Sequence, residues 1–305
     1  MVKKILLSLA TAMAVMAMVT GPVFANTNEY KFFLNSPVGS GPDVVTRKIQ
    51  QLVKNRSGID LIIINQSAGN GMVAAMDFKK ERLALLITNT SLMAYLPIQL
   101  DKVPYRLDDW DIIAPLGLAG SVFFTQENSS IKHINDLVTV LPTLSRGAIA
   151  VAAADSAANA KAFVNKRNVA VPIVNFKNHN DVVLNVVGGN VDVGVVPSTN
   201  ITLWEYVDTK KLRVLGVVNS KPFVKNGHKY PSMNQTFDIP AFYSGSWLAI
   251  TPGNSKEHQD LRSVLLSVLQ DTELQRLMKE TWPLGNVATI ESIIETANKH
   301  KDLVK

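Results

Sequence analysis

The sequence predicts an α/β protein that consists of two lobes. Short apolar segments with strand character alternate with segments of helical spacing along most of the chain. This order is typical of largely parallel sheets covered by helices. Without its N-terminal export signal the chain keeps about 280 of its 305 residues, more than one hydrophobic core usually holds. A hydrophobic content of 47% and a charged content of 18% are ordinary for a globular protein.

Residues 1–25 are typical of a secretory signal peptide. Lys3 and Lys4 form a short basic segment, and the apolar run 5–19 follows it. This run of about 15 residues is shorter than the roughly 20 that a membrane-spanning helix needs, which disfavours an uncleaved anchor. Small residues precede position 26, as a signal peptidase requires. We therefore expect cleavage after Ala25 and a periplasmic mature protein.

The first half of the predicted mature chain repeats a strand, a loop and a helix. A strand at 30–34 is followed by a Gly-bearing turn at 37–43 and by a helix at 44–53, whose apolar residues recur at helical spacing. A loop at 65–71 precedes a short helix. Further strands are predicted at 61–64, 83–87 and 122–125.

The second half uses the same order of elements. Strands are predicted at 148–152, 171–176, 191–196, 212–218 and 246–250, and helices at 157–166, 181–187, 257–270 and 272–281. The two halves are variations on one architecture, although no clean sequence repeat relates them.

The residue patterns of common enzymes are missing from the sequence. The five histidines lie far apart, and none is three or four residues from another, so the spacing of metal ligands is absent. No nucleophile elbow, phosphate-binding P-loop or His-Glu-x-x-His helix occurs. Without cysteine there is no disulfide framework. We expect no metal, no cofactor and no catalysis, and a secreted enzyme is the less favoured alternative.

The distribution of charge argues against a nucleic-acid partner. Loss of Lys3 and Lys4 with the signal lowers the formal net charge from +6 to about +4. The remaining Lys and Arg residues occur in ones and twos and never form a stripe with interleaved aromatic residues. Nucleic-acid binding would need such clustering.

The loop 38–43 has features of an anion site. It leaves a strand and enters a helix, where unpaired N–H groups and the positive end of the helix dipole favour negative charge. Gly39 and Gly41 would let the backbone approach a ligand closely. A dinucleotide site is disfavoured, because Val44 replaces the third glycine of that fingerprint. A Gly-rich turn without a ligand stays the alternative.

Four further polar loops follow predicted strands. In open α/β sheets ligands bind at the carboxyl ends of the strands, so these loops are expected to meet at one cleft. They are rich in Ser, Thr, Asn and Gly and contain no Arg or Lys, which suits a carboxylate or another polar solute held by neutral donors. The four loops are 65–71, 88–91, 154–159 and 197–200.

Five segments spread over nearly the whole predicted mature chain match motifs of one protein family. VGSGPD at 38–43 and NQSAGNG at 65–71 correspond to a Pro-Gly-Gly-x-x-Asp turn and to an Asn-Arg-Pro-Gly-Ala-Gly-Gly loop. The other three are LNVVGGNVD at 184–192, KLRVLGV at 211–217 and the segment 246–253. The ordered set resembles the periplasmic receptors of tripartite tricarboxylate transporters, the TctC or Bug type.

The resemblance implies a type II periplasmic-binding-protein fold, with two Rossmann-like lobes joined by crossing hinge strands. The expected first lobe is 26–122 plus 247–305, and the second is 123–246. The hinge is expected near 122–125 and 244–248.

The resemblance also implies a function. A monomeric periplasmic receptor would capture a di- or tricarboxylate or an acidic amino acid and deliver it to the membrane subunits of a tripartite tricarboxylate transporter. A receptor that presents its ligand to a membrane sensor kinase is an alternative.

In this family the starts of helices from opposing lobes hold the carboxylates of the ligand. The resemblance therefore implies ligand contacts from Gly39, Ser40, Gly41, Asp43, Asn65, Thr88, Asn89, Thr90 and Ser91 in the first lobe, and from Asp155, Ser156, Ala157 and Ser198 in the second.

The chain departs from the family motifs at three places. The family's Pro-Gly-Gly is replaced by 38–40, its Arg-Pro by Gln66 and Ser67, and its small second-lobe loop by 153–156, which contains Asp155. An acidic side chain that faces the cleft would repel a second ligand carboxylate or pair with a ligand amine.

Overall fold

The chain forms two five-stranded sheets, each with helices packed against it. The computed structural model describes residues 29–100, 102–285 and 288–305, so the predicted signal peptide lies outside the described residues. The strands are β1 Glu29–Leu34, β2 Asp60–Asn65, β3 Ala84–Asn89, β4 Asp111–Ala119, β5 Ser121–Gln126, β6 Ile149–Val151, β7 Ile173–Asn175, β8 Val193–Pro197, β9 Leu212–Val217, β10 Phe223–Lys225, β11 His228–Tyr230 and β12 Ser244–Ile250.

The two sheets share one topology. The first has the strand order β2-β1-β3-β12-β4 and the second the order β7-β6-β8-β5-β9. In each sheet three neighbouring strands run parallel, and the fourth strand is antiparallel to both of its neighbours. The fourth strand of the first sheet, β12, comes from the C-terminal half of the chain. The predicted α/β fold of two lobes with the type II periplasmic-binding-protein architecture is thus confirmed.

Most helices lie in the connections between strands. They are α1 Gly41–Ser57, α2 Met72–Lys79, α3 Leu96–Gln99, α4 Asp136–Thr139, α5 Ala154–Arg167, α6 His179–Val187, α7 Ile201–Asp208, α8 Met233–Phe237, α9 Lys256–Val268, α10 Thr272–Thr281, α11 Ile290–Lys299 and α12 Lys301–Val304. A π-helical turn at Ser91–Tyr95 and short 3₁₀ turns at Ala68–Gly71, Leu107–Asp109 and Leu141–Thr143 complete the set.

None of the helices in the described ranges combines the length and the apolar character that a transmembrane span requires.

Local residue chemistry explains where α1 begins and ends. Ser40 is extended and its hydroxyl accepts a hydrogen bond from the N–H of Asp43, so it is the N-cap. Pro42 fits the first turn, where its missing N–H costs nothing. Gly58 ends the helix in the left-handed conformation, with φ of 74°. The helix therefore begins three residues before the predicted start at 44, within the segment that was predicted as a turn.

The chain crosses from the first sheet to the second at a single residue, Gly120, between β4 and β5. A Cβ atom at Gly120 would lie 2.0 Å from the carbonyl oxygen of Val218, which only glycine can avoid. The chain returns to the first sheet when β12 begins at Ser244. The side chain of Asn159 on α5 holds this return segment, because it donates to the Phe242 carbonyl (2.7 Å) and accepts from the Phe242 N–H (3.0 Å). The exact lobe boundaries and the position of the hinge stay predictions.

The sheets are covered by apolar side chains that are fully buried. In the first sheet Phe32 and Leu85 pack with Ile49 of α1, and α9 and α10 lie against the same helix. In the second, Phe123 packs edge to face on Phe163 of α5, with 5.9 Å between ring centroids. Burying side chains of this size contributes roughly 1.5–3 kcal/mol each. These contacts fix the strands whose carboxyl ends carry the candidate site.

Candidate ligand-binding cleft

A cleft with a volume of about 510 Å³ lies between the two sheets. Its walls are the loops that follow β1, β2 and β3 on one side and β6, β7 and β8 on the other, which are the carboxyl ends of the parallel strands of both sheets. Ligands of open α/β sheets bind at these ends, and the volume is in the range of small-molecule sites.

Four helices of eight or more residues begin at this cleft. They are α1 from the first sheet and α5, α6 and α7 from the second. Helix starts carry unpaired N–H groups and the positive end of the helix dipole. Side-chain caps are present on three of them: Ser40, Asn178 and Asn200 accept hydrogen bonds from the first turns of α1, α6 and α7. The start of α5, after Ala153, has no side-chain N-cap.

The loop that enters α1 is organised by Asp43. This carboxylate is 1% exposed and accepts hydrogen bonds from the Gly39 N–H (2.9 Å), Arg47 Nε (2.9 Å) and Asn65 Nδ2 (3.0 Å). Burial acts to raise the pKa of Asp43, but the bonds from Arg47, Gly39 and Asn65 outweigh it and lower that pKa. Ser40 thus caps the first turn of α1, while the Asp43 side chain ties the preceding residue Gly39 to that turn.

Two backbone N–H groups of this loop are already used inside the loop. The Gly39 N–H donates to Asp43, and the Ser40 N–H donates to the Pro37 carbonyl over 3.2 Å. Position 39 favours glycine because its φ is positive, at 78°. Space is not the reason, since nothing lies within 4 Å of a Cβ atom built there. In this conformation the Ser40 hydroxyl and the Asn35 side-chain amide are groups that the loop can offer to a ligand. Ligand binding by the two N–H groups stays a prediction that requires their internal bonds to open.

Five of the residues predicted as ligand contacts line the cleft. Gly39, Ser40, Asn89 and Ser91 lie on the first-sheet wall, and Asp155 lies on the second-sheet wall. The Asn89 side-chain oxygen accepts from the N–H of Leu92, so it also begins the π-helical turn at Ser91–Tyr95.

The other predicted contacts lie behind these walls. Asn65 donates to the Ser36 carbonyl over 2.9 Å and to Asp43, so it supports the first loop. Thr90 accepts from the N–H of Gly245 at 3.2 Å, which joins β3 to the start of β12. The predicted contacts that do not line the cleft are Gly41, Asp43, Asn65, Thr88, Thr90, Ser156, Ala157 and Ser198.

Four of the residues behind the walls, Thr88, Thr90, Ser156 and Ser198, are buried hydroxyl residues. The hydroxyl oxygens of Thr88, Ser156 and Ser198 make no hydrogen bond to any group in the described part of the chain.

Gly41 lies where the two walls approach each other. A Cβ atom at this position would be 2.9 Å from Cγ2 of Thr281 and 3.3 Å from the carbonyl oxygen of Thr199. Thr199 belongs to the loop after β8, so the start of α1 touches the second-sheet wall here. A side chain at position 41 would therefore force Thr281, and to a smaller degree the Thr199 loop across the cleft, to shift.

Sequence reasoning missed the loop after β7, which contributes a continuous stretch of the second wall at 177–181. The sequence pattern that marks such a loop was present, because this stretch follows a predicted strand and opens a predicted helix, as the loop 38–43 does. Trp282 and Ser244 also line the cleft, and they come from the end of α10 and the start of β12. Neither position follows a strand of the parallel set, so the same rule could not have found them.

Asp155 is the buried acidic group of the cleft. It is 1% exposed, and its Oδ2 atom makes no hydrogen bond within the described residues. Burial raises the pKa of Asp155 to about 6, against the opposing effect of the Ser156 N–H, its own N–H and the Ser244 side chain. The carboxyl group thus lies at the uncapped start of α5, which is the position that favours an anion.

No family model matches the sequence, and no curated protein matches it. Solved structures do. A TctC solute-binding protein from Polaromonas, solved without ligand, is 18% identical with a TM-score of 0.65, over 90% of this chain and 97% of that chain. An R. palustris protein with adipate is 16% identical with a TM-score of 0.75, over 90% and 97%.

MatC from Rhodopseudomonas palustris with bound malate is 15% identical with a TM-score of 0.71, over 93% of this chain and 100% of that chain. The matched lengths cover both sheets, and the identities are low enough that the likeness concerns the fold. The chain therefore has the two-lobed fold of TctC-type solute-binding proteins, the fold that its sequence motifs predict.

Proposed function

We propose that this protein is a periplasmic receptor of the TctC or Bug type, which captures a small carboxylate and delivers it to a tripartite tricarboxylate-type membrane transporter. The observation that carries the proposal is the cleft of about 510 Å³ at which four helices begin. Several positive helix ends directed at one cavity stabilise an anion without a catalytic group.

The lining of the first-sheet wall supports a carboxylate ligand. Ser40, Asn89, Ser91 and Asn35 offer neutral hydrogen-bonding groups, and this wall has no charged side chain among its described lining residues. Neutral donors bind a carboxylate without the strong pairing of an arginine, which suits a receptor that must release its ligand. The malate and adipate bound to two proteins of the same fold support this ligand class.

The connections between the sheets support a receptor that closes on its ligand. Only Gly120 separates β4 from β5, and β12 returns the chain to the first sheet, so each sheet can move as a body about these two connections. Contacts from both walls to one ligand favour the closed state. The approach of Gly41 to Thr199 shows that the two walls also come close to each other directly.

A thermal-shift screen tests the ligand class. The probes are succinate, malate, adipate, citrate, L-aspartate and L-glutamate, and succinamide is the control that has the shape of succinate without its charge. A probe at 100 times its Kd should stabilise the protein by roughly 2.7 kcal/mol. Stabilisation by at least one carboxylate and none by succinamide is expected. Absence of any shift at millimolar concentrations of every carboxylate would contradict the proposal.

A further inference from the structure

The two walls of the cleft differ in charge. Every charged lining residue in the described chain belongs to the second-sheet wall, and acidic groups outnumber basic ones there. They are Asp155, Asp181, Glu205 and Lys177. A ligand with only carboxylate groups would face this excess of negative charge along one side.

Asp155 differs from the other acidic lining residues in its surroundings. Asp181 lies in the first turn of α6, where its side chain accepts from the N-cap residue Asn178 over 2.9 Å and stays partly exposed. Glu205 is exposed at the rim. Asp155 is 1% exposed, and its Oδ2 has no hydrogen-bond partner among the described residues, although it lines the cavity. The N–H groups of Asp155 and Ser156 and the Ser244 side chain offset only part of the cost of ionising this buried carboxyl group, and Oδ2 stays able to accept from a ligand donor or cation.

The place of Asp155 on its helix strengthens the argument. At the uncapped start of α5, the N–H groups of Asp155 and Ser156 face the Asp155 carboxyl itself. The second-sheet wall therefore already supplies its own anion where a ligand carboxylate would otherwise lie. A group with positive charge would complete this site, whereas a second carboxylate would compete with it.

We propose, on the basis of the proposed function, that the ligand is an amino carboxylate whose ammonium group is bound by the Asp155 carboxylate. Its carboxylate end then lies against the neutral donors of the first-sheet wall, such as the Ser40 hydroxyl. The ligand is held with its negative end toward the first sheet and its positive end toward α5.

The pH dependence of ligand affinity distinguishes two roles of Asp155: an ionised carboxylate that binds an ammonium group, and a protonated carboxyl group that donates to a ligand carboxylate. Tyr95 and Tyr243 are neutral near pH 7, because burial raises the pKa of both, and His179 is neutral because burial lowers its pKa to about 4. The other charged lining groups are Lys177, Asp181 and Glu205. With the pKa of Asp155 at about 6, an ammonium ligand loses its partner as the pH falls. A protonated Asp155 that donated to a ligand carboxylate would instead bind more tightly in acid.

Calorimetry with matched probes tests the proposal. L-aspartate and succinate differ only by the amino group, as do L-glutamate and glutarate. We expect the amino member of at least one pair to bind the wild type at least about tenfold more tightly than its partner. Its affinity should fall roughly tenfold from pH 7 to pH 5. Asp155→Asn should weaken the amino member by at least about thirtyfold, and remove the pH dependence.

Asp60→Asn is the matched control, because it removes one negative charge that is 51% exposed at the start of β2, the end of the strand away from the cleft, and it should leave both affinities unchanged. Equal or tighter binding of succinate or glutarate, or binding that strengthens in acid, would overturn the inference and leave the proposed function standing. If neither member of either pair binds, and citrate, malate and adipate do not bind either, the proposed function itself fails. The pH series on the wild type decides the question even if the Asp155 variant does not fold.

Discussion

Replacing Asp43 by alanine should destabilise the protein far more than the loss of a surface charge. The carboxylate is 1% exposed and accepts three hydrogen bonds, from Gly39, Arg47 and Asn65. At about 1 kcal/mol of net stability for each bond, the expected loss is about 3 kcal/mol. The loss of an N-terminal capping interaction alone would account for only about 1 kcal/mol.

Urea denaturation followed by circular dichroism measures this difference. Asp60→Ala is the matched control, because it removes the same carboxylate from the start of the neighbouring strand β2, where Asp60 pairs with Lys54 at 2.6 Å and both side chains are 51% exposed. That exposed pair contributes less than about 1 kcal/mol. An equal decrease in the free energy of unfolding in the two variants would refute the structural role assigned to Asp43.

The effect of Asp43 also has a defined dependence on pH. Its pKa is lowered in the folded protein, so its contribution to stability is complete above the ordinary carboxyl pKa of about 3.9. The contribution is lost as the pH falls below that value and through the folded pKa. The wild type and Asp43→Ala should therefore converge in stability in acid, whereas they differ most near neutral pH.

The remaining predictions concern export and closure. Mass spectrometry of a periplasmic extract should find a mature N-terminus at Asn26, and an intact Met1 form in the membrane fraction would contradict export. Small-angle scattering of the wild type should show a smaller radius of gyration with a bound carboxylate. In Gly41→Val, the added side chain should meet Thr281 and Thr199 and keep the cleft open, so the radius should not fall, while the circular dichroism spectrum stays native. Normal ligand affinity and a normal decrease of the radius of gyration in Gly41→Val would show that closure does not depend on the approach of Gly41 to Thr199.

The alternation of strands and helices was predictable because both sheets are built mainly from short apolar runs between polar loops. The helix predicted at 272–281 is observed as Thr272–Thr281. The edge strand β4 was not predicted, since its residues include Pro115 and Gly117, which interrupt a strand pattern and are tolerated at a sheet edge. The helix α5 begins three residues before the predicted 157, because Ala153 is extended and no polar cap marks the boundary in the sequence.

The candidate site was predictable only where a loop follows a parallel strand. That rule places Gly39, Ser40 and Asp155 at the cleft, and it could also have found 177–181. It could not separate residues that line the cleft from those that support it, because Asp43 and Asn65 have the polar character of ligand contacts. The hydrogen bond between them depends on the tertiary structure, so it could not be read from the sequence. The approach of Gly41 to Thr199 joins residues 158 positions apart, which no local pattern can reveal.

A crystal structure with the most stabilising carboxylate probe tests the central claim most directly. We predict that the ligand lies in the cleft between the two sheets, with a carboxylate within hydrogen-bond distance of the Ser40 hydroxyl or of N–H groups at the start of α1. A ligand bound elsewhere on the protein, with this cleft empty, would contradict the account.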